Sequence, residues 1–245
     1  MSSGFTEPVV HSKKSNQAPY AYRSGAGFAP SQEHSVFFND MYDLPASNAV
    51  IGTTAIIDTG ATLTAAATDE ITKTGVVAIT SDGTTEGVTN YWPKGIQLGD
   101  GGKFFMEVRA KTVDADDTDL QFGLSVMNAT TNPEDAWTTA ATDLIAFGVL
   151  DGDATVKMLC DKNNSGSSAE TGTIDLEDAT YHVLAIEVGG SAANSSMYVK
   201  GYVDGNLAIT WSTETTIPDD LVLAPFFGAR TGADANHIVY FDYVR

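Results

Sequence analysis

The sequence predicts an all-β protein, an antiparallel β-sandwich that follows an extended N-terminal arm. The first observation is the alternation of apolar and polar residues in short runs, as from Phe104 to Lys111 and from Leu120 to Val126. The second is turn chemistry, because clusters of Asp, Asn, Gly and Ser separate runs of strand length. Alternation with a period of two indicates strands with one buried and one solvated face.

The clearest element is a β-hairpin in the segment "MYVKGYVDGNLAITWS", residues 197–212. Two alternating runs flank Asp204 and Gly205, a pair that favours the positive φ angles of a tight hairpin turn. Trp211 alternates with Leu207, which predicts that the indole is buried. The hairpin is interpreted as scaffold, because nothing reactive can be placed on it.

About a dozen strands are expected in all, at the spacing of a sandwich or jelly roll. One or two helical turns are predicted in "TNPEDAW", where Pro133 and Glu134 occupy favourable positions of a helix start. Composition does not change within residues 36–245, so one sandwich domain is expected there. The other strand-like runs are "AVIGTTAIIDTG", "GVVAITSDG", "DLIAFGVL", "ATVKMLC", "YHVLAIEV", "LVLAPFFG" and "HIVYFDYV".

Residues 1–35 are polar, rich in small residues and without a regular period, yet they contain spaced aromatic side chains. Disordered tails are depleted in aromatic residues, so the segment is interpreted as an extended arm that binds a partner. A flexible terminus is the alternative. The residues predicted to contact the partner are Phe5, Lys13, Lys14, Tyr20, Tyr22, Arg23 and Phe28.

Charge and composition exclude several functions. The formal net charge of −19 disfavours binding to nucleic acid and to anionic membranes. No run approaches the roughly 20 apolar residues of a membrane span, and the first residues lack the apolar region of a secretory signal. A soluble protein made in a cytoplasm is expected. The single cysteine, Cys160, cannot form an internal disulfide, and its apolar neighbours predict a buried thiol.

The last part of the chain resembles the concanavalin A-like (laminin G-like) jelly rolls. The resemblance lies in the order of "YHVLAIEVGG", the hairpin, "TIPDDLVLAPFFGART" and "HIVYFDYVR", and it covers about residues 100–245. It implies a jelly-roll sandwich. Lectins, glycosidases and viral surface proteins share this fold, so the fold leaves the function open.

The layout of the whole chain resembles that of tailed-bacteriophage structural proteins. The arm and the low-complexity run "TTAIIDTGATLTAAATDEITKTG" are the basis of this resemblance. It implies a non-enzymatic capsid decoration (cement) protein on the virion surface, made in the host cytoplasm. Such a protein would bind the major capsid protein or another shell protein through its arm, as a homo-oligomer. The alternative is a carbohydrate-binding, lectin-like module of a receptor-binding or tail-associated virion protein.

An enzyme is not expected. The β-glucanases of the concanavalin A-like fold carry two carboxylates in an E-x-D-x-x-E-like run on one strand, and this chain has no such run. Glu107 and Glu187 each stand alone on a strand, on the face predicted to be solvated. His182 is expected to be a surface or packed residue rather than a base.

Two weaker binding sites are considered, and no other cofactor is expected. The loop "VDADDTDL" concentrates Asp114, Asp116, Asp117 and Asp119, and hard oxygen ligands at this density suit Ca²⁺. A solvated acidic turn is the alternative. A glycan would need an exposed aromatic platform, for which Trp92 and Trp137 are the candidates.

Overall fold

The computed structural model describes residues 54–57, 62–65, 76–80, 87–92, 95–126, 143–163, 170–231 and 238–245. These residues form fifteen β-strands and two short 3₁₀ turns, Ala192–Asn194 and Glu214–Thr216. None of the helices in these ranges is long and apolar enough to span a membrane. All strand pairs are antiparallel and belong to two sheets, so the predicted all-β sandwich is confirmed.

The strands of each sheet are named here in their spatial order. The first sheet, called the β8 sheet after one of its strands, has eight strands. They are β1 (Thr54–Ile57), β4 (Gly87–Tyr91), β14 (Val222–Thr231), β7 (Thr118–Ser125), β8 (Asp143–Leu150), β9 (Asp153–Lys162) and β10 (Glu170–Asp175), with β5 (Ile96–Gln97) beside β14. The β6 sheet has seven: β13 (Asn206–Trp211), β12 (Tyr198–Val203), β11 (His182–Gly189), β6 (Phe104–Thr112), β15 (Ile238–Val244), β3 (Val77–Thr80) and β2 (Thr62–Ala65).

The core is formed by the side chains that alternate inward from both sheets. Phe147 makes an edge-to-face contact with Phe122 at 5.9 Å between ring centroids, and Phe227 makes one with Phe241 at 5.0 Å. Such contacts add to the burial of the rings themselves. The inward residues predicted on β6 and β7 are confirmed by the burial of Met106, Val108, Ala110, Leu120, Phe122 and Leu124, as are the buried Cys160 and Trp211.

The hairpin of β12 and β13 turns at Asp204 and Gly205, whose φ angles are 50° and 81°. Positive φ at both central residues is the geometry that the Asp-Gly pair favours, so this prediction is confirmed. The pairing register shifts beyond the turn, because Gly201 lies opposite Ile209 while Tyr202 lies opposite Leu207. This bulge turns the Leu207 side chain to the outer face, where it is 52% exposed.

Close packing leaves no room for a side chain at Gly201, at the centre of β12. A Cβ atom there would lie 2.5 Å from Cε2 of Phe147 and 2.9 Å from Cγ2 of Ile209. Interiors are packed at crystal density, so the added methyl must displace a core side chain. By contrast, a Cβ at the exposed Gly102 meets nothing within 4 Å.

We therefore expect Gly201→Ala to lower the free energy of unfolding by about 1–3 kcal/mol through overpacking. Gly102→Ala is the control, with an expected change within about 0.5 kcal/mol. Urea unfolding of the two variants and the wild type measures both effects. Equal midpoints for the two variants would show that the interface between the sheets has room at Gly201.

Candidate functional site

The outer face of the β6 sheet collects aromatic and cationic side chains from four strands and their ends. The described part of the chain has eight Lys and Arg residues, of which five lie on this face, together with five of its six tyrosines. We call this set the tyrosine–cation face. Its members are Lys103, Arg109, Lys111, Tyr181, Tyr198, Lys200, Tyr202, Tyr240, Tyr243 and Arg245.

Strand pairing brings these residues together. Side chains at alternate positions point to the same side of a strand, and directly opposed residues share a face. On β6, Arg109 lies opposite Val183 of β11 and opposite Tyr243 of β15. Lys111 lies opposite Tyr240. Because side chains alternate along each strand, these residues all point away from the core, on the outer face of the sheet.

Glu107 lies at the centre of the tyrosine–cation face and is fully buried. Its Oε1 accepts hydrogen bonds from the Tyr243 hydroxyl at 2.6 Å and from Nη2 of Arg245 at 2.7 Å. The backbones of Glu107 and Arg245 also exchange hydrogen bonds, which fixes the guanidinium beside the carboxylate. The prediction of a solvated Glu107 is therefore wrong, because two long side chains of the neighbouring chain segment close over it.

Glu187 of β11 is buried in the same way, with 2% of its surface exposed. Its Oε1 accepts from the Tyr198 hydroxyl at 2.7 Å and from Nζ of Lys103 at 3.1 Å, and its Oε2 accepts from Tyr202 at 3.3 Å. The prediction of a solvated Glu187 is also wrong. A buried carboxylate requires such charged and hydrogen-bonding partners, since an unpaired charge is costly away from water.

Two of the phenols that bind these carboxylates, Tyr243 and Tyr198, have a raised pKa. Burial raises the pKa of Tyr243 well above its ordinary value, and the negative charge of Glu107 raises it further. Burial, followed by the hydrogen bond to Glu187, raises the pKa of Tyr198. Both hydroxyl groups therefore act as hydrogen-bond donors.

At the other end of the tyrosine–cation face a cation lies between two rings. Nζ of Lys111 is 4.9 Å from the ring centroid of Tyr181 and 4.4 Å from that of Tyr240. We call these three residues the Lys111 row. Cζ of Arg109 lies 4.2 Å from the Tyr181 centroid, and this guanidinium also pairs with Asp242. Tyr181 and Tyr240 are each half-buried, and the hydroxyl of Tyr181 is buried.

Three of the four aspartates predicted to bind calcium accept hydrogen bonds from backbone N–H groups, and calcium binding by this loop stays a prediction. Asp114 accepts from the N–H of Asp116 at 3.1 Å, and Asp116 accepts from that of Ala154 at 2.9 Å. Asp119 accepts from the N–H of Asp151 at 2.7 Å, and Asp117 makes further contacts of its own. Within the described ranges, no three His, Cys, Asp or Glu side chains are grouped so that they could hold a metal ion.

Trp92 lies at the edge of the core. Its indole is half-buried and packs against Phe227 with 5.7 Å between ring centroids. This contact occupies part of the surface that a glycan platform would use. Trp137 and the arm residues lie outside the described part of the chain, so their predicted roles stay predictions; the arm residues are Phe5, Lys13, Lys14, Tyr20, Tyr22, Arg23 and Phe28.

His182 is a packed residue, as expected. Its Nδ1 lies 2.7 Å from Oδ2 of Asp204, and its Nε2 accepts from the N–H of Glu177 at 3.1 Å. An Nε2 that accepts leaves the ring proton on Nδ1, which donates to Asp204. Asp204 also accepts from the N–H of Val183 at 2.8 Å, so the hairpin turn is fastened to the start of β11.

The outer face of the β8 sheet is buried around β8, although the alternation predicted a solvated face. A second apolar cluster lies there, formed by Leu144, Ala146, Leu159 and Phe226, with Tyr91 packed against it. The outward positions of β8 are therefore apolar. This face offers no carboxylate pair on that strand.

The sequence carries a signal for the tyrosine–cation face that lies outside any recognisable motif. Tyrosines and cations occupy the positions between the apolar residues in "EVRAK", "MYVKGYV" and "YFDYVR". Each run by itself is an ordinary solvated strand face. Only the order of the strands in the sheet makes the three runs neighbours.

Comparison with known proteins supports the fold. The sequence matches no protein-family model and no curated protein. The Emp47p carbohydrate recognition domain is similar in structure, with a TM-score of 0.58 and 11% identity over 84% of this chain and 92% of that chain. An endo-1,3-β-glucanase from Streptomyces sioyaensis has a TM-score of 0.56 and 16% identity over 88% of this chain and 97% of its own.

A lectin, UEA-II complexed with galactose, is also similar, with a TM-score of 0.51 and 19% identity over 84% of this chain and 97% of that one. Identities this low show the fold alone. The chain thus has the concanavalin A-like jelly-roll fold that its sequence resembles. These likenesses lend no support to a role in a phage capsid.

We expect Tyr243→Phe to lower the free energy of unfolding by about 1–3 kcal/mol at pH 7, because Glu107 loses a donor. The folded-state pKa of Tyr243 lies above the unfolded value of about 10, so its contribution is complete below that pH and is lost as the pH rises further. The difference between wild type and variant should therefore shrink above about pH 10. Urea unfolding from neutral to alkaline pH tests this, and a constant difference would contradict it.

Proposed function

We propose that this protein is a non-enzymatic carbohydrate-binding module and that its tyrosine–cation face contacts the sugar. The observation that carries the proposal is the Lys111 row, in which two half-buried tyrosines of the outer sheet face lie beside a cation. The fold supports it, since the similar structures include a carbohydrate recognition domain and a lectin bound to galactose.

Sugar recognition combines an aromatic surface with a few fixed polar groups. The C–H face of a pyranose stacks on a ring, while its hydroxyl groups bond to donors and acceptors beside that ring. Tyr181 and Tyr240 supply the rings, and Arg109 supplies donors that its contact with Tyr181 already holds in place. Tyrosine is well suited to such a surface, because its rigid ring loses little conformational entropy on binding.

The position of the glutamates favours binding without cleavage. Glycosidases need two carboxylates that reach the scissile bond, about 5 Å apart in retaining enzymes and further apart in inverting ones. Glu107 and Glu187 lie beneath the surface and are bonded to tyrosines and cations. A sugar on the tyrosine–cation face would meet the phenols and not these carboxylates.

The layout of the whole chain predicts a different function, that of a capsid decoration protein. It rests on residues 1–35, which lie outside the described ranges. A shell-protein partner, a homo-oligomer and a virion location stay predictions. The carbohydrate-binding function fits the described residues better, because the face that would perform it is among them.

A glycan array tests the proposal. We expect the wild type to retain one class of glycan without releasing reducing ends, and Tyr181→Ala with Tyr240→Ala to weaken binding about tenfold or more, as loss of stacking predicts. Val222→Ala is the control, since that side chain is 60% exposed on the β8 sheet. If the double tyrosine variant binds the glycan as tightly as Val222→Ala does, the site lies elsewhere. If the array retains no glycan at all, the carbohydrate-binding function is refuted.

A further inference from the structure

We propose that His182 is a pH-sensitive switch, whose neutral ring holds the loop before β11 and whose protonated ring releases it. The loop consists of residues 176–180, between β10 and β11, and we call it the 176–180 loop. This inference concerns the conformation of the protein and does not depend on the proposed carbohydrate-binding function. The observation that carries it is that one ring nitrogen of His182 donates a hydrogen bond while the other accepts one.

The two nitrogens of His182 bind different segments of the chain. Nε2 accepts a hydrogen bond from the backbone N–H of Glu177 at 3.1 Å, while Nδ1 lies 2.7 Å from Oδ2 of Asp204 at the hairpin turn. A neutral imidazole has one donor and one acceptor, and this arrangement uses each of them once. The side chain is only 11% exposed, so water can replace a lost partner only if the loop moves.

Protonation changes the two contacts in opposite directions. The imidazolium ion carries a hydrogen on both nitrogens and can accept no hydrogen bond. The N–H groups of Nε2 and of Glu177 would then face each other, with 3.1 Å between the two nitrogen atoms. The contact of Nδ1 with the Asp204 carboxylate instead becomes charge-assisted and stronger. The hairpin turn therefore keeps its contact with His182, and the 176–180 loop loses its own.

The charged side chains near the ring come from the hairpin turn and the loop. The hairpin turn contributes Asp204, whose carboxylate contacts the ring of His182. The 176–180 loop contributes Glu177 and Asp178, which are exposed. Strand β6 presents Ala110 opposite His182, and the cations on either side of Ala110 alternate to the outer face. The charge that a proton adds to the ring is thus stabilised by Asp204 while the contact with Glu177 is lost.

The backbone of the 176–180 loop favours its release. Ala179 has a φ angle of 52°, in the left-handed region that a Cβ atom makes unfavourable. Contacts with the end of β6 and the residues after it oppose this strain. The N–H of Ala179 donates to the carbonyl of Thr112 at 2.9 Å, and Asp178 accepts from the N–H of Ala115 at 2.9 Å. Loss of the Glu177 contact leaves fewer bonds to hold the strained conformation.

The tyrosine–cation face is linked to this switch through Tyr181. That residue stands between the 176–180 loop and His182 in the chain, and its ring contacts Arg109 and Lys111. Movement of the loop therefore changes the backbone position from which Tyr181 enters the face. We expect acid to alter the Lys111 row without any titration of the row itself.

Hydrogen exchange of the full chain, followed for each amide by NMR, provides the test. Protection factors are compared, because they correct for the effect of pH on the intrinsic exchange rate. Between about pH 8 and about pH 5, where histidine side chains take up a proton, we expect the protection of the Glu177 amide to fall at least about tenfold. The amide of Val183, which donates to Asp204 at 2.8 Å, should keep its protection.

Histidine variants make the test specific. The side chain of His182→Gln has an acceptor and donors but gains no charge in this pH range, so the protection of Glu177 should become independent of pH. His237→Gln is the matched control, since it removes a titrating ring and leaves His182 in place. This control should show the same fall in protection as the wild type.

A measurement on the unaltered protein tests the starting state. The nitrogen chemical shifts of the His182 ring at about pH 8 distinguish the two neutral tautomers, and we expect the proton on Nδ1. The switch is overturned by constant protection of Glu177 across the pH range, by a fall that persists in His182→Gln, or by a proton on Nε2 at about pH 8. None of these results bears on glycan binding, so the carbohydrate-binding function is tested separately.

Discussion

The burial of two carboxylates on the outer side of β6 and β11 is the constraint on which the candidate face depends. Removing a charge from water costs several kcal/mol, and the cost is offset only when fixed donors surround the charge. Tyr243 and Arg245 both donate to Oε1 of Glu107, whose Oε2 is buried without a hydrogen-bond partner. Tyr198, Tyr202 and Lys103 donate to the two oxygens of Glu187. Half of the tyrosine–cation face is thus required by the fold, and it is held rigid for the same reason.

Rigidity of this kind favours binding, but the contacts available to a single sugar are modest. An exposed ion pair contributes about 0–1 kcal/mol and a cation–π contact about 0.5–1 kcal/mol at an exposed site. A few such contacts together correspond to millimolar affinity, for which the binding free energy is about 4 kcal/mol. A polymer that lies along several strands of the β6 sheet would repeat these contacts, so useful affinity requires a long ligand or several copies of the protein.

The sequence predicted what local pattern determines. Alternation placed Met106, Val108 and Trp211 in the core, and Asp204 with Gly205 located the hairpin turn. The pattern gave a wrong prediction where contacts between distant segments determine burial. Glu107 alternates like a solvated residue, but the Tyr243 hydroxyl that covers it lies 136 residues further along the chain. Sequence pattern also gave no sign that aspartates of the acidic loop accept hydrogen bonds from backbone N–H groups, or that Trp92 packs against Phe227. The tyrosine–cation face could not be predicted without the order of the strands in the sheet.

A fold shared by lectins and a glucanase cannot decide between binding and hydrolysis, so the decision lies with the carboxylates. In the described part of this protein, Glu107 and Glu187 are the carboxylates buried at the centre of the charged face. Exposing either one to a glycosidic bond would require removal of the tyrosine that donates to it. That change would also leave a buried charge short of a partner and loosen the rings and cations beside it. In the proposed function, these two side chains therefore support the binding face and do not act on a sugar.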